Sequence, residues 1–104
     1  MKRLAILGST GSIGEQTLDV VAAAPDRFEV VALAAGRRIE RLIEQARRFA
    51  PRRVSVADPR DASVVRAALD PEIEVTAGEP GLIDVATEPA ELVVAGLVGA
   101  VGLQ

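Results

Sequence analysis

The first fourteen residues constrain the fold of this chain more than any other segment. An apolar run at residues 4–7 predicts a buried strand, and it leads directly into glycines at positions 8, 11 and 14. A helical pattern then covers residues 12–24. A strand, a glycine-rich turn and a helix N-terminus form an anion-binding device, because the first N–H groups of a helix have no partner within it. The segment therefore predicts a pyrophosphate site at the start of the first helix.

The spacing of the glycines predicts a separate role for each. The pattern is G-x-x-G-x-x-G, which differs from the G-x-G-x-x-G fingerprint, and no Gly-Lys-Ser/Thr follows as in a P-loop. Gly8 is predicted to make the tight turn, Gly11 to let the backbone approach a phosphate, and Gly14 to let the helix pack closely on the strand. Ser12 and Glu15 match S-x-x-E and predict a capping box. The alternative is a plain turn whose glycines serve packing only.

Strand and helix patterns alternate along the rest of the chain. Further strands are predicted over residues 29–35, 53–57, 73–76 (at an edge) and 92–95 (near the centre). Further helices are predicted over residues 39–49, 61–69 (with Asp61 as the cap) and 82–87. Repeated βα units with short connections predict the α/β class, with a Rossmann-like, doubly wound parallel sheet.

Helical spacing also predicts which side chains face the core. The inward residues of the first helix are predicted to be Ile13, Thr17, Val20, Val21 and Ala24. Those of the helix at 61–69 are predicted to be Val64, Val65, Ala68 and Leu69.

Composition excludes several classes of function. The net charge is −3 and the aromatic residues are only Phe28 and Phe49, so neither charge nor stacking favours nucleic acid or an anionic membrane. The absence of cysteine and histidine excludes disulfides, thiol nucleophiles and the commonest zinc ligands. The start shows no signal peptide, and the longest apolar run, residues 92–103, is too short to span a bilayer as a helix. We therefore expect a cytoplasmic protein that depends on a cofactor or on carboxylates, lysine and hydroxyl groups for its chemistry.

Two arginines follow the second strand, where dinucleotide-binding folds contact the adenosine ribose. NAD-binding proteins usually place Asp or Glu there, but this chain has Gly36, Arg37 and Arg38. Two guanidinium groups are suited to clamp a 2′-phosphate, which predicts NADP(H) over NAD(H). The alternative is a pair of solvated arginines on a surface loop. The arginines at 41, 47, 48, 52 and 53 are expected on solvated faces or at strand ends.

The end of the chain carries a second glycine cluster, over residues 96–102. It follows a predicted strand at the carboxyl end, where it would approach the rest of the cofactor or serve packing beside the first strand. The apolar tail reaches Gln104 without an element to cover it. We therefore expect residues 1–104 to be a cofactor-binding domain that is truncated at its C-terminal end.

The glycine loop closely resembles the N-terminus of the 1-deoxy-D-xylulose 5-phosphate reductoisomerases. The resemblance rests on LGSTGSIG at residues 7–14 and TLDVV at 17–21, and it extends through VVALAAG at 30–36 and VGAVGL at 98–103. It implies an NADPH-dependent bacterial enzyme of the cytoplasm, active in isoprenoid synthesis. That enzyme rearranges and reduces 1-deoxy-D-xylulose 5-phosphate to 2-C-methyl-D-erythritol 4-phosphate.

The resemblance also implies which residues bind the cofactor. They are Thr10, Gly11, Ser12, Ile13, Gly36 and Arg37, together with Arg38, which stands where the family usually has asparagine. The carboxylates that bind Mg or Mn, the substrate-phosphate site and the second domain of the family would lie beyond Gln104. We therefore assign no catalytic or metal-binding residue to this chain and expect it to be inactive alone, with a homodimer as the full-length enzyme.

Two other classes stay open on the residues alone. One is a semialdehyde or acyl-phosphate reductase, which also binds NADP but uses a catalytic cysteine. The other is a non-catalytic module that senses a nucleotide.

Overall fold

The computed structural model describes residues 2–78, 90 and 92–95, which build a parallel sheet with one helix between each successive pair of its first four strands. The strands are β1 Lys2–Leu7, β2 Phe28–Ala34, β3 Arg53–Val56, β4 Glu74–Ala77 and β5 Leu92–Ala95. The helices are α1 Ser12–Ala23, α2 Ile39–Phe49 and α3 Pro59–Ala68. The predicted α/β class and parallel sheet are confirmed.

The strand order places the carboxyl end of β1 at the switch point, where the chain reverses the direction in which it adds strands to the sheet. The order is β4-β3-β2-β1-β5, and each neighbouring pair is parallel. The chain moves outward from β1 to β4, and β5 then pairs with the other side of β1. Ligands of open α/β sheets bind at such a reversal, outside the carboxyl ends of the strands. The loop after β1 therefore lies where this architecture places a ligand.

Three helices cover one face of the sheet. Leu18 and Val21 of α1, and Leu42 of α2, belong to one apolar cluster. The same cluster includes Ala62 and Val65 of α3, and these strand residues: Leu4, Ile6, Val30, Leu33, Val54, Val56 and Val75. A second cluster on β1 and β2 consists mostly of small residues: Ala5, Val31, Ala32 and Ala34. The first cluster fixes the helices, and hence their N-termini, against the strands.

The start of α3 differs from the prediction. Its cap is Asp58, whose Oδ1 accepts a hydrogen bond from the Arg60 N–H at 2.9 Å, and not Asp61, which lies in the first turn. Pro59 explains the earlier start, because proline is preorganised for the first position of a helix. The buried residues of α3 are Ala62 and Val65, whereas Val64, predicted inward, is 52% exposed.

The buried face of α1 was also predicted wrongly in part. Gly14, Leu18 and Val21 are buried, while Ile13 and Val20 are 49% and 58% exposed. The close packing of Gly14, described below, turns the stripe 14–18–21 toward the sheet. Of the residues predicted inward on this helix, Val21 is confirmed.

The remaining predictions concern the ends of the sheet. β4 is the terminal strand of the described order, which confirms its edge position. β5 forms as predicted at Leu92–Ala95, but within the described residues it lies at the other end of the order rather than at the centre. The predicted helix at 82–87 and the glycine cluster at 96–102 lie outside the described residues. In the part of the chain that the structure describes, no helix has the length and apolar character to cross a membrane.

Candidate functional site

The glycine loop is a tight turn held against the end of β2. Gly8 has φ 78°, in the left-handed region that glycine adopts readily. The N–H groups of Gly8 and Ser9 both donate to the Ala34 carbonyl, at 2.7 and 2.9 Å, and the Gly11 N–H donates to the Gly8 carbonyl at 3.0 Å. The predicted role of Gly8 is therefore confirmed, and the loop is tied to the carboxyl end of β2.

Gly14 allows helix α1 to approach this turn closely. A Cβ at Gly14 would overlap the Gly8 carbonyl oxygen and lie 2.6 Å from the Ser9 Cα. Any larger residue at this position would push the helix away from the turn. The predicted packing role of Gly14 is confirmed.

Gly11 and Gly36 have no comparable structural requirement. Gly11 is the N-cap residue of α1 with φ −82° and ψ 177°, and a Cβ there would make only an ordinary contact of 3.4 Å with the Gly8 oxygen. A Cβ at Gly36 would meet no described atom within 4 Å. Both residues are exposed at the carboxyl ends of neighbouring strands. In the described part of the chain, their lack of a side chain leaves open space instead of permitting close packing.

The open space beside Gly11 lies at the N-terminus of α1. Ser12 and Ile13 occupy the first turn of that helix and are exposed, while Thr10 is buried in the loop. The first N–H groups of a helix point outward without partners and carry partial positive charge. The four predicted residues Thr10, Gly11, Ser12 and Ile13 are thus contiguous around a potential anion site.

The predicted capping box is wrong. Gly11, not Ser12, is the N-cap residue of α1, and no side-chain hydrogen bond to this cap is found among the described residues. Ser12 is already within the helix, and the Glu15 carboxylate faces helix α2. Its Oε2 accepts from Arg41 Nε at 2.7 Å and its Oε1 accepts from Arg41 Nη2 at 2.9 Å. Glu15 thus makes two charge-assisted bonds to a guanidinium instead of the one bond that its carboxylate would accept from the N–H of the cap residue.

Gln45 joins the same network from the buried side of α2. Its side chain is 4% exposed, and Nε2 donates to the Ser9 carbonyl at 2.8 Å and to Glu15 Oε1 at 3.0 Å. The Arg41 guanidinium, and to a smaller extent Gln45, lowers the pKa of the Glu15 carboxyl below its ordinary value, so Glu15 is charged at neutral pH. The Ser9 hydroxyl and the Gln45 amide oxygen are also buried, with no hydrogen-bond partner among the described residues.

The two arginines predicted to bind a phosphate lie at the start of α2. Arg37 and Arg38 are exposed, and Arg38 is the N-cap residue of that helix. Arg38 Nη1 donates to the Thr10 carbonyl at 3.2 Å. The structure therefore brings Arg38 to the glycine loop, although 28 residues separate it from Thr10. A cation beside this loop suits an anionic ligand.

The other arginines lie on solvated faces or, for Arg53, at a strand end, as predicted. Arg47 donates from Nε and Nη2 to the Ala68 carbonyl, at 3.2 and 2.9 Å, and Arg53 forms an ion pair with Glu74. Arg41 lies on a solvated face as predicted, and from there it also pairs with Glu15. Gln45 was not predicted at all. The available signal was its position beside the apolar residues Leu42 and Ala46, where an amide needs a buried partner.

Metal ligands are not grouped in the described residues. Within that part of the chain, no cluster of three or more His, Cys, Asp or Glu side chains is placed to hold an ion. The site therefore consists of backbone N–H groups, open space at two glycines and a guanidinium.

These features define a class of protein: an α/β domain with a dinucleotide-type glycine loop at the switch point of a parallel sheet. The sequence profile of the 1-deoxy-D-xylulose 5-phosphate reductoisomerases matches residues 4–104. The chain belongs to this family. The match favours it over the semialdehyde and acyl-phosphate reductases that the residues alone left open.

Individual relatives agree with the family match. The chain is 58% identical to the 1-deoxy-D-xylulose 5-phosphate reductoisomerase of Anaeromyxobacter sp. (strain K), over 100% of this chain and 27% of the relative. It is 54% identical to that of Thermosynechococcus vestitus, over 99% of this chain and 26% of the relative. The chain thus spans about a quarter of the length of the curated relatives it matches.

Solved structures show the same fold. The reductoisomerase of Zymomonas mobilis in complex with NADPH has a TM-score of 0.83 and 34% identity, covering 88% of this chain and 24% of that one. A reductoisomerase in complex with NADPH, fosmidomycin and magnesium has a TM-score of 0.83 and 32% identity, covering 93% of this chain and 24% of that one.

Proposed function

We propose that this chain is the NADPH-binding segment of a 1-deoxy-D-xylulose 5-phosphate reductoisomerase. The observation that carries the proposal is the division among the glycines. Gly8 and Gly14 are required by the turn and by packing, whereas Gly11 and Gly36 leave open space at the carboxyl ends of β1 and β2. Open space at those two points is what a dinucleotide across the switch point requires.

The glycine loop and the first turn of α1 would hold the pyrophosphate. Thr10, Gly11, Ser12 and Ile13 surround the outward N–H groups of the helix. Backbone donors and the helix dipole bind an anion without any basic side chain in that turn. This contact is common to NADPH and NADH, because both carry the pyrophosphate.

The turn after β2 would distinguish the two cofactors. Gly36 leaves room for the adenosine ribose, and Arg37 and Arg38 provide guanidinium groups for its 2′-phosphate. A charge-assisted contact of this kind contributes about 1.5–3 kcal/mol, or roughly ten- to a hundredfold in affinity. Arg38 can serve in place of the family's asparagine because its guanidinium already lies beside the loop.

The reaction of the longer protein needs groups outside this segment. When bound, NADPH supplies the hydride, and the residues described here bind and orient it. We place the substrate site and the ligands of a divalent cation in the part of the enzyme that this chain does not span. The relatives are about four times as long, and the described residues hold no carboxylate cluster suited to a metal. We further propose that the whole enzyme is a cytoplasmic homodimer.

A chimeric enzyme tests this function directly. This chain replaces the matching segment of the Anaeromyxobacter relative, to which it is 58% identical. We expect the chimera to oxidise NADPH when supplied with 1-deoxy-D-xylulose 5-phosphate and magnesium, and the 104-residue chain alone to show no turnover. A folded chimera that does not bind NADPH would contradict the proposal, and turnover by the isolated chain would contradict the placement of the catalytic groups elsewhere.

A further inference from the structure

Three side chains along one face of α2 contact the unit formed by the glycine loop and α1. Arg38 reaches the Thr10 carbonyl, Arg41 reaches the Glu15 carboxylate, and Gln45 reaches both Glu15 and the Ser9 carbonyl. Positions 38, 41 and 45 follow the i, i+3, i+7 spacing of a single helix face. This face is therefore a polar connection between two parts of the proposed cofactor site.

At the buried end of this connection, Gln45 requires its acceptors to lie at fixed positions. Gln45 is 4% exposed, and its amide group donates to two acceptors on the loop and on α1. A buried amide that lost these acceptors would be left unsatisfied, which makes the position of the loop relative to α2 costly to change. The bidentate Arg41–Glu15 pair restrains the same two elements closer to solvent.

We propose that Gln45, Arg41 and Glu15 are positioning residues that set the preference for the 2′-phosphate of NADPH. The inference rests on the proposed function. The pyrophosphate would bind to the loop and α1, while the 2′-phosphate would bind at the start of α2. A single cofactor molecule must meet both points at once, so the distance between α1 and α2 determines whether Arg37 and Arg38 reach their phosphate.

Two consequences separate this role from a merely structural one. The loop and α1 are joined directly by the chain and by the Gly14 contact, so weakening the network leaves the pyrophosphate site intact. The start of α2 then loses its fixed position relative to that site. NADPH binding should therefore weaken, while NADH binding should change little.

The test compares two variants with a matched control in the chimeric enzyme. Gln45→Met keeps the side-chain length and removes the amide. Arg41→Lys keeps the charge but loses the planar fork that makes two parallel bonds to Glu15. Arg47→Lys is the control, since Arg47 lies on the same helix and also donates from two guanidinium nitrogens, but both donate to the single oxygen of the Ala68 carbonyl. Calorimetry gives the dissociation constants of NADPH and NADH for each protein, and circular dichroism reports folding.

The expected result is a change in the ratio of the two dissociation constants. The preference for NADPH should fall by about tenfold in Gln45→Met and about threefold in Arg41→Lys, with NADH affinity changed by less than about twofold. Arg47→Lys should keep the ratio of the unaltered chimera. An unchanged ratio, or equal losses for both cofactors, overturns the inference, and if Gln45→Met does not fold, Arg41→Lys decides alone. A chimera that shows no NADPH preference before any substitution overturns the proposed function instead, and this inference with it.

Discussion

The loop before α1 and the turn before α2 stand side by side at the same edge of the sheet, yet they are built in opposite ways. The loop is largely buried: Gly8, Ser9 and Thr10 are inside, and backbone hydrogen bonds tie it to the end of β2. The turn at 36–38 is exposed, and what it offers a ligand is the pair of side chains Arg37 and Arg38. One region offers a ligand its hydrogen-bonded backbone, and the other offers it two long, exposed side chains.

Under the proposed function, this difference would separate the affinity for the cofactor from the selectivity between NADPH and NADH. A backbone site at a helix N-terminus accepts any pyrophosphate, so the loop cannot tell NADPH from NADH. Under the proposed function, the arginine pair would add nothing to the binding of the common part of the cofactor, but it would distinguish the 2′-phosphate from a hydroxyl. Substitutions in the loop should therefore affect stability or the binding of both cofactors, whereas substitutions in the turn should affect only the choice between them.

The largest expected effect is that of Gly14→Ala on stability. Its Cβ would collide with the Gly8 carbonyl and the Ser9 backbone, which cannot move without opening the turn. We expect a loss of about 3 kcal/mol in the free energy of unfolding, at the upper end of typical overpacking costs. Urea unfolding of the chain, followed by circular dichroism, measures it.

Gly36→Ala is the matched control for that substitution. A methyl group at position 36 meets no described atom within 4 Å. The unfolding free energy should stay within about 1 kcal/mol of the original, or rise slightly because alanine restricts the unfolded chain. A comparable loss in both variants would show that the loop is not the tighter of the two regions.

Gly11→Val should remove cofactor binding while leaving the fold intact. The backbone at Gly11 is extended, and its first side-chain atom would have room, but a branched side chain would occupy the space of the pyrophosphate. We expect affinity for NADPH and NADH to fall alike, by about a hundredfold, or 2.7 kcal/mol. Calorimetry with each cofactor provides the measurement. Unchanged binding by a folded variant would place the pyrophosphate elsewhere.

Glu15→Gln should give the smallest effect, and one that depends on pH. Arg41 lowers the pKa of Glu15 in the folded chain, so the ion pair stabilises the fold above the ordinary carboxyl pKa of about 4.3. This contribution is lost as the pH falls through the lowered pKa, because the protonated carboxyl resembles the amide of glutamine. The urea midpoint of the variant should lie slightly below that of the original chain at pH 7. The two midpoints should converge in acid, and a gap that persists there would rule out the ion pair as its cause.

The same contrast explains what the sequence could reveal. The turn at Gly8 and the close packing at Gly14 were predictable. A positive φ and a close backbone contact each favour glycine, so both features are visible in the sequence. The parallel sheet followed from the alternation of apolar strands and amphipathic helices. The roles of Gly11 and Gly36 remain predictions, since a glycine that leaves room for a ligand looks the same in the sequence as a glycine in a plain turn.

What the sequence did not reveal depends on contacts between distant segments. Ser12 and Glu15 match the local capping-box pattern, but the Glu15 carboxylate instead pairs with Arg41, which is 26 residues away in the sequence. The exposed position of Ile13 follows from the helix rotation that Gly14 imposes, and periodicity alone does not contain it. The role of Gln45 could not be read from its neighbours in the sequence, because its acceptor, the Ser9 carbonyl, is 36 residues away.

The central claim is that the turn after β2 selects NADPH, and one pair of titrations tests it most directly. The chimeric enzyme and its Arg37→Ala, Arg38→Ala double variant are each titrated with NADPH and NADH by calorimetry. We predict a preference for NADPH of roughly ten- to a hundredfold in the chimera, and a nearly equal affinity for the two cofactors in the double variant, with NADH binding almost unchanged. Equal affinities before the substitution, or an undiminished preference after it, would contradict the account.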